Sequence, residues 1–87
     1  MTTGPEIARQ AKEQLAQLTG LEAYTVSELA KGEEGWRVAV ELIELKRIPE
    51  SSDLLATYEA LLDEKGALIR YKRVRRYLRG QEMSEQA

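Results

Sequence analysis

The sequence contains no cysteine and no histidine, only two prolines, and no long apolar run. The lack of cysteine excludes a disulfide framework and thiol chemistry. The lack of histidine removes the most common metal ligand and the usual general base near neutral pH. No stretch approaches the roughly 18–20 consecutive apolar residues that cross a bilayer, and the N-terminal stretch lacks the features of a secretory signal. We therefore expect a cytoplasmic protein with no membrane partner.

The size and composition of the chain indicate one small globular domain. It has 87 residues, of which 43% are hydrophobic and 32% are charged. Such a chain is too apolar to be fully disordered, and its length suits a single core. We predict one domain over residues 1–80, followed by a polar and disordered tail over residues 81–87.

An amphipathic helix is predicted from Pro5 to Leu18. Its apolar residues recur at helical spacing and form one stripe: Ile7, Ala11, Leu15 and Leu18. Thr3 or Gly4 can cap its start, Pro5 suits the first helical position, and Gly20 is well placed to end it.

Alternating patterns after this helix predict strands. A weak strand lies around Val26, and the strongest strand runs over residues 36–45, where apolar residues share one face. Pro49 ends this strand. The stretch 54–62 fits a helix or a strand, and we prefer a strand, with a helical turn at 52–56 left open. A strand is preferred because a short glycine-containing turn and a further strand over 67–77 follow it.

These elements predict an α+β fold in which the N-terminal helix packs on a roughly four-stranded antiparallel β-meander. The helix would cover one side of the sheet, and the other side would be open in an isolated monomer.

No arrangement of residues points to catalysis or to a bound cofactor. The serines have no histidine to activate them as nucleophiles. The acidic pairs Glu33–Glu34 and Asp63–Glu64 fall in turns, where they are simply solvated. The glycines of G32-E-E-G35 flank acidic residues, which repel phosphate. We predict no enzyme activity, no catalytic residue, no cofactor and no metal site.

The sharpest feature is a basic segment in a slightly acidic protein. The formal net charge is −2, yet six of the 13 basic residues fall within residues 70–79. Strict alternation along a strand would place five of its charged and aromatic residues on one side: Tyr71, Arg73, Arg75, Tyr77 and Arg79. Because neither side of this strand is purely apolar, we expect an edge strand or a strand with a bulge.

Three interpretations of the basic segment compete. It can be a solvated edge strand whose arginines pair with Glu41, Glu44 or Glu59. It can be a platform for single-stranded RNA or DNA that uses its two tyrosines for stacking. It can also be a protein-docking surface, since arginine and tyrosine are favoured at interfaces. Nucleic acid is the weaker partner because domains that bind it are usually basic overall.

The protein-docking hypothesis yields a set of candidate interaction residues. Trp36 is included because tryptophan is enriched among interface anchors, although a position in the core or at its rim is the more common explanation. The candidate protein-interaction residues are Trp36, Tyr71, Arg73, Arg75, Arg76, Tyr77 and Arg79. A homodimer through the open side of the sheet or through the edge strand is a further alternative.

Several segments also resemble a known family. The chain carries in order the stretches RIPESSDLLATYEALLDEKG over residues 47–66 and YKRVRRYLRG over residues 71–80. Trp36 and the alternating acidic strand around Glu41 and Glu44 precede them. In this combination the sequence resembles the gas vesicle synthesis protein GvpO family. The resemblance implies a non-enzymatic accessory protein of gas vesicle formation, associated with gas vesicles and bound to shell or accessory gas vesicle proteins. It transfers no catalytic residues.

Overall fold

The computed structural model describes residues 3–80 and has the predicted α+β architecture. Over these residues a helix precedes four strands, which form one antiparallel sheet in the order β1-β2-β3-β4. The elements are α1 (Gly4–Thr19), β1 (Glu22–Gly32), β2 (Gly35–Leu45), β3 (Leu54–Leu62) and β4 (Leu68–Leu78), with a short 3₁₀ turn at Glu50–Ser52. The predicted tail 81–87 lies outside the described residues, so its boundary stays a prediction.

Local signals set both ends of α1. Thr3 is the N-cap, and its Oγ1 accepts a hydrogen bond from the Glu6 N–H at 3.4 Å. Gly20 is the C-cap in the left-handed conformation, with φ of 75°, and its N–H donates to the Ala16 carbonyl at 2.9 Å. These contacts confirm Thr3 and Gly20 as the residues that cap the helix. The helix is one residue longer at each end than the predicted range.

The main core lies between α1 and one side of the sheet, which we call the helix side. Three residues of the predicted apolar stripe of α1, Ile7, Ala11 and Leu15, are fully buried there against strands β2 and β3, whereas Leu18 is exposed. The members of this core are Ile7, Ala11, Leu15, Val38, Val40, Leu42, Ala60 and Leu62. Burying each large aliphatic side chain contributes about 1.5–3 kcal/mol, so this contact holds the helix on the sheet.

Two turns require particular residues. Gly35 opens β2 with φ of 139°, and a Cβ atom there would lie 2.1 Å from the Leu62 carbonyl oxygen. In the β3–β4 turn, Asp63 Oδ1 accepts hydrogen bonds from the backbone N–H of Lys65 at 2.8 Å and of Ala67 at 2.9 Å. Hydrogen bonding from Ala67 is the largest cause that lowers the pKa of Asp63 below its ordinary value.

Two sequence-based boundaries need correction. The first strand is longer than predicted, since it spans Glu22–Gly32 and pairs with β2 through two bulges. The helical turn left open at 52–56 is a 3₁₀ turn at Glu50–Ser52, and Leu54–Leu62 is strand throughout. Leu54–Leu62 is a strand because it pairs with β2 on one edge and with β4 on the other, which provides hydrogen-bond partners for its backbone N–H and C=O groups.

Candidate protein-interaction surfaces

A bulge in β4 distributes the basic residues over both sides of the sheet. Arg73 pairs with Tyr58 and Arg75 pairs with Thr57, so Val74 between them is the extra residue. The bulge reverses the alternation, and the prediction of one shared side for Tyr71, Arg73, Arg75, Tyr77 and Arg79 was therefore wrong. The prediction of an edge strand or a bulge is confirmed, because β4 is both at the sheet edge and bulged.

On the helix side, Glu44 forms ion pairs with two arginines of β4. Arg73 Nη1 donates to Glu44 Oε2 at 3.2 Å, and Arg76 Nε donates to Glu44 Oε1 at 2.8 Å. The Tyr58 hydroxyl also donates to Glu44 Oε2, at 3.3 Å. The Glu44 side chain is only 11% exposed, whereas the two arginine side chains are about half exposed, at 45% and 51%. The expected pairing of β4 with Glu44 is confirmed.

Two tyrosines extend this cluster along the strands. The rings of Tyr58 and Tyr71 lie 6.2 Å apart at an interplanar angle of 40°, a favourable tilted contact. Burial and the neighbouring Glu44 carboxylate raise the pKa of Tyr58, so its hydroxyl stays protonated and donates to Glu44 at neutral pH. We call the set Tyr58, Tyr71, Arg73 and Arg76, together with Glu44, the tyrosine–arginine surface.

The opposite side of the sheet, which we call the far side, holds a different polar cluster around Glu41. Glu41 is only 2% exposed, and its carboxylate accepts three hydroxyl hydrogen bonds. Ser27 Oγ donates to Oε2 at 2.6 Å, Thr57 Oγ1 to Oε1 at 2.6 Å, and the Tyr77 hydroxyl to Oε1 at 2.5 Å. Tyr77 belongs to β4 and Glu41 to β2, so the Tyr77 side chain reaches across β3.

Arg75 completes the Glu41 cluster. Its Nε donates to Thr57 Oγ1 at 3.1 Å, and its guanidinium lies 4.6 Å from the centre of the Tyr77 ring. Tyr77 also packs with Ile43 and Leu55 in a small second core. The sequence pattern predicted Arg75 and Tyr77 as interaction residues. It did not reveal that Thr57 accepts from Arg75 or that Glu41 accepts from the Tyr77 hydroxyl, because these partners lie on other strands. The signal in the sequence was Glu41, a charged residue flanked by apolar residues within the most apolar strand.

Arg79 directly follows β4 and contacts the β2–β3 loop rather than the strand surface. Its Nη1 lies 3.5 Å from Asp53 Oδ2 and 3.6 Å from Glu50 Oε2, and its backbone N–H donates to the Asp53 carbonyl at 2.9 Å. Its guanidinium also lies 4.6 Å from the centre of the Tyr24 ring. Since these contacts tie the end of β4 to the loop, a structural role accounts for Arg79.

Trp36 stands apart from the other candidates. It is partly buried and packs against the main core, with Lys31 Nζ 5.7 Å from the ring centre. It pairs with Leu62 at the end of β2 opposite to Glu44. The structure therefore does not bring Trp36 together with the tyrosine–arginine surface.

The geometry also bears on nucleic acid and on metals. Tyr71 lies on the helix side and Tyr77 on the far side, so they cannot stack successive bases of one strand along a common surface. Within residues 3–80 there is no group of three or more acidic side chains arranged to hold a metal ion. The helix described over this range is also too short and too polar to span a bilayer.

Comparison with known proteins identifies the family. The sequence profile of the family described as gas vesicle synthesis protein GvpO matches residues 2–83. This chain belongs to the GvpO family. The match confirms the resemblance that the sequence motifs carry, and it includes all of the described residues.

Individual members of the GvpO family are also similar to this chain. It is 51% identical over 74 residues to Gas vesicle protein O of Streptomyces sp. (strain CB03234), across 85% of this chain and 58% of the relative. It is 37% identical over 73 residues to Gas vesicle protein O of Haloferax mediterranei, across 84% of this chain and 51% of the relative. The chain thus spans little more than half the length of these curated GvpO relatives. No solved structure matches the chain.

Proposed function

We propose that this GvpO-family chain is a non-enzymatic accessory protein of gas vesicle formation that acts by binding other gas vesicle proteins, shell or accessory. Family membership supports the part of the proposal that concerns gas vesicle formation, since the family profile and the relatives named Gas vesicle protein O match most of the chain. A role in the cytoplasm, in association with gas vesicles, follows from the same proposal.

The observation that carries the binding part of the proposal is the tyrosine–arginine surface. It joins two half-exposed arginines and two tyrosines at the edge of the sheet, and these residue types supply much of the binding energy at protein interfaces. The single carboxylate of Glu44 orients both guanidinium groups but offsets only one of their two charges. The surface is therefore locally basic within a chain of net charge −2.

The test uses a host that forms gas vesicles from a gene cluster containing this chain. Omitting the chain should reduce or abolish vesicles seen by electron microscopy, and a tagged copy should restore them and co-purify with identified gas vesicle proteins. Either an undiminished vesicle yield without the chain or a tagged copy that retains no gas vesicle protein would contradict the proposal.

A titration with a labelled single-stranded oligonucleotide tests the nucleic-acid alternative. We expect no measurable binding at low salt, because Tyr71 and Tyr77 lie on opposite sides of the sheet and the whole chain is acidic. Binding that weakens steeply as salt rises is the signature of counterion release from a nucleic acid. That result would replace the protein-binding proposal.

A further inference from the structure

The helix side of the sheet is only partly covered within the described residues. α1 contacts β1 most extensively and then β2 and β3. The main core includes Ala60 and Leu62 near one end of β3, and Leu68 at the start of β4 packs against it. Further along β4, Tyr71, Arg73 and Arg76 are exposed. One half of this side of the sheet therefore lies beside α1 rather than beneath it.

One flank of α1 faces this uncovered half. The Gln14 side chain donates to the Gly66 carbonyl at 2.8 Å and accepts from the Leu68 N–H at 2.9 Å, so it points toward the start of β4. Leu18 lies four residues further along the same flank, and it is 59% exposed. Leu18 therefore adds an exposed apolar side chain to the flank of α1 that borders the uncovered half.

The width of the uncovered half matches a helix. Neighbouring strands lie about 4.8 Å apart, so β3 and β4 together offer a strip about 10 Å wide. A helix with its side chains is about 10–12 Å across, and packed helices lie about 8–10 Å apart. The strip over β3 and β4 therefore accommodates one further helix next to α1.

We propose that this strip binds one amphipathic α-helix of another protein, whose apolar stripe rests on Leu18, Tyr58 and Tyr71 and whose acidic flank meets Arg73 and Arg76. This inference rests on the proposed function, in that the partner is a gas vesicle protein. Charge complementarity selects an acidic helix, because two guanidinium groups surround one carboxylate at the strip. The half-exposed guanidinium groups can donate outward while Glu44 holds them in place.

Strand addition to the outer edge of β4 is a poorer fit. Bulges at Ile69 and Val74 interrupt the strand, which leaves two regular runs of only four residues each, Arg70 to Arg73 and Arg75 to Leu78. A partner strand needs a longer run of evenly spaced backbone groups, and basic side chains on an edge also discourage pairing with further strands.

The binding experiment uses a fluorescein-labelled synthetic peptide of about 20 residues with a leucine stripe at helical spacing and glutamates on its flanks. A second peptide carries lysines in place of the glutamates. The full chain is titrated into each peptide, with anisotropy reporting binding and far-ultraviolet circular dichroism reporting the helicity of the peptide.

Two double variants of β4 provide the matched comparison. Arg73→Gln with Arg76→Gln removes two charges from the helix side. Arg70→Gln with Lys72→Gln removes two charges from the far side, because Arg70 pairs with Leu61 and Lys72 with Glu59. Adding Glu44→Gln to the first pair removes the carboxylate that would otherwise remain without its two arginine partners. Leu18→Ala is a further variant, which changes the apolar part of the strip and leaves its ion pairs intact.

We expect the acidic peptide to bind and gain helicity, and the lysine peptide not to bind. The helix-side variants and Leu18→Ala should each weaken binding about tenfold or more, and the far-side variant less than about threefold. Equal weakening by both double variants, binding without helicity, or no binding of the acidic peptide would overturn the inference. So would dimerisation of the chain that the helix-side variants abolish, because a second copy would then occupy the strip.

Co-purification of gas vesicle proteins with the same variants separates the two proposals. If the wild-type chain retains gas vesicle proteins and the helix-side variants retain them equally well, the helix site is wrong and the proposed function stands. If the wild-type chain retains none, the proposed function itself fails.

Discussion

Glu41 shows at the scale of one residue how a charge can be accommodated on a sheet. Its carboxylate is almost fully buried but accepts hydroxyl hydrogen bonds from Ser27, Thr57 and Tyr77. A buried carboxylate is tolerated when hydrogen bonds replace its hydration. The same three hydroxyl groups would lose their shared acceptor if the carboxylate were removed.

We predict that Glu41→Ala lowers the free energy of unfolding by about 3 kcal/mol, because it leaves buried donors without an acceptor. Tyr77→Phe removes one donor and should cost about 1 kcal/mol. Urea unfolding at neutral pH, followed by Trp36 fluorescence, measures both. Glu28→Ala is the control, an exposed glutamate on β1 whose loss should change stability by less than about 0.5 kcal/mol. Equal effects at Glu41 and Glu28 would contradict the prediction.

Asp63 gives a pH-dependent prediction. Hydrogen bonds from Ala67, and then from Lys65, lower its pKa in the folded chain. Its contribution to stability is therefore complete above the unfolded pKa, about 3.9, and is lost as the pH falls through the lower folded pKa. The difference in free energy of unfolding between the wild type and Asp63→Asn should be constant above about pH 5 and shrink below about pH 4.

Acid titration of unfolding measures the Asp63 effect. Glu64→Gln is the control, since Glu64 is exposed in the same turn. A difference between the wild type and Asp63→Asn that does not change with pH would show that the backbone hydrogen bonds to Asp63 do not depend on its charge.

At the scale of elements, the two outer strands are both irregular. β1 pairs with β2 through bulges at Tyr24 and Ser27, and β4 pairs with β3 through bulges at Ile69 and Val74. Bulges increase local twist and interrupt the regular row of free backbone groups. Pairing with the edge of another sheet is therefore disfavoured at both edge strands, β1 and β4. A partner is better bound on the surface of the sheet.

The β1–β2 hairpin depends on one of its two glycines far more than on the other. Gly35 has a positive φ and leaves no room for a Cβ atom beside the Leu62 carbonyl, whereas a Cβ on Gly32 would meet its nearest atom at 3.8 Å. We predict that Gly35→Ala lowers the free energy of unfolding by about 2 kcal/mol or more. Gly32→Ala should change it by less than about 0.5 kcal/mol. Thermal unfolding of both variants compares them directly, and equal shifts would contradict the assignment.

At the scale of the whole molecule, one main core joins the helix to the sheet. Leu15 is fully buried in that core, whereas Leu18 on the same helix is 59% exposed. We predict that Leu15→Ala lowers the free energy of unfolding by about 3 kcal/mol. Leu18→Ala should change it by less than about 0.5 kcal/mol, which also keeps that variant suitable for the peptide-binding experiment.

Cooperativity provides a further check on Leu15→Ala. If helix and sheet form one unit, circular dichroism and Trp36 fluorescence should report coincident unfolding transitions in the wild type and in both leucine variants. Loss of helical signal before the change in Trp36 fluorescence would show instead that the sheet persists without α1.

The helix, the number of strands and their order could be predicted from the sequence because their signals are local. Ile7, Ala11 and Leu15 recur at helical spacing, and Gly20 ends the helix where the apolar stripe stops. The alternation of residues 36–45 marked the central strand for the same reason. Glu44 was a predicted partner of the basic strand, since acidic and basic strands that lie close together tend to pair.

The sequence by itself determined the α+β architecture, the family and the concentration of positive charge on one strand. Tertiary structure alone decided which side of the sheet each basic residue occupies. The bulge at Val74 exists only in the ladder between β3 and β4, so strict alternation could not anticipate it. Tyr71 consequently contacts Tyr58 on the helix side, where Arg73 and Arg76 bind Glu44. Arg75 and Tyr77 lie on the far side, in the cluster around Glu41. The physical reason is that one extra residue in a strand reverses the direction of every side chain beyond it.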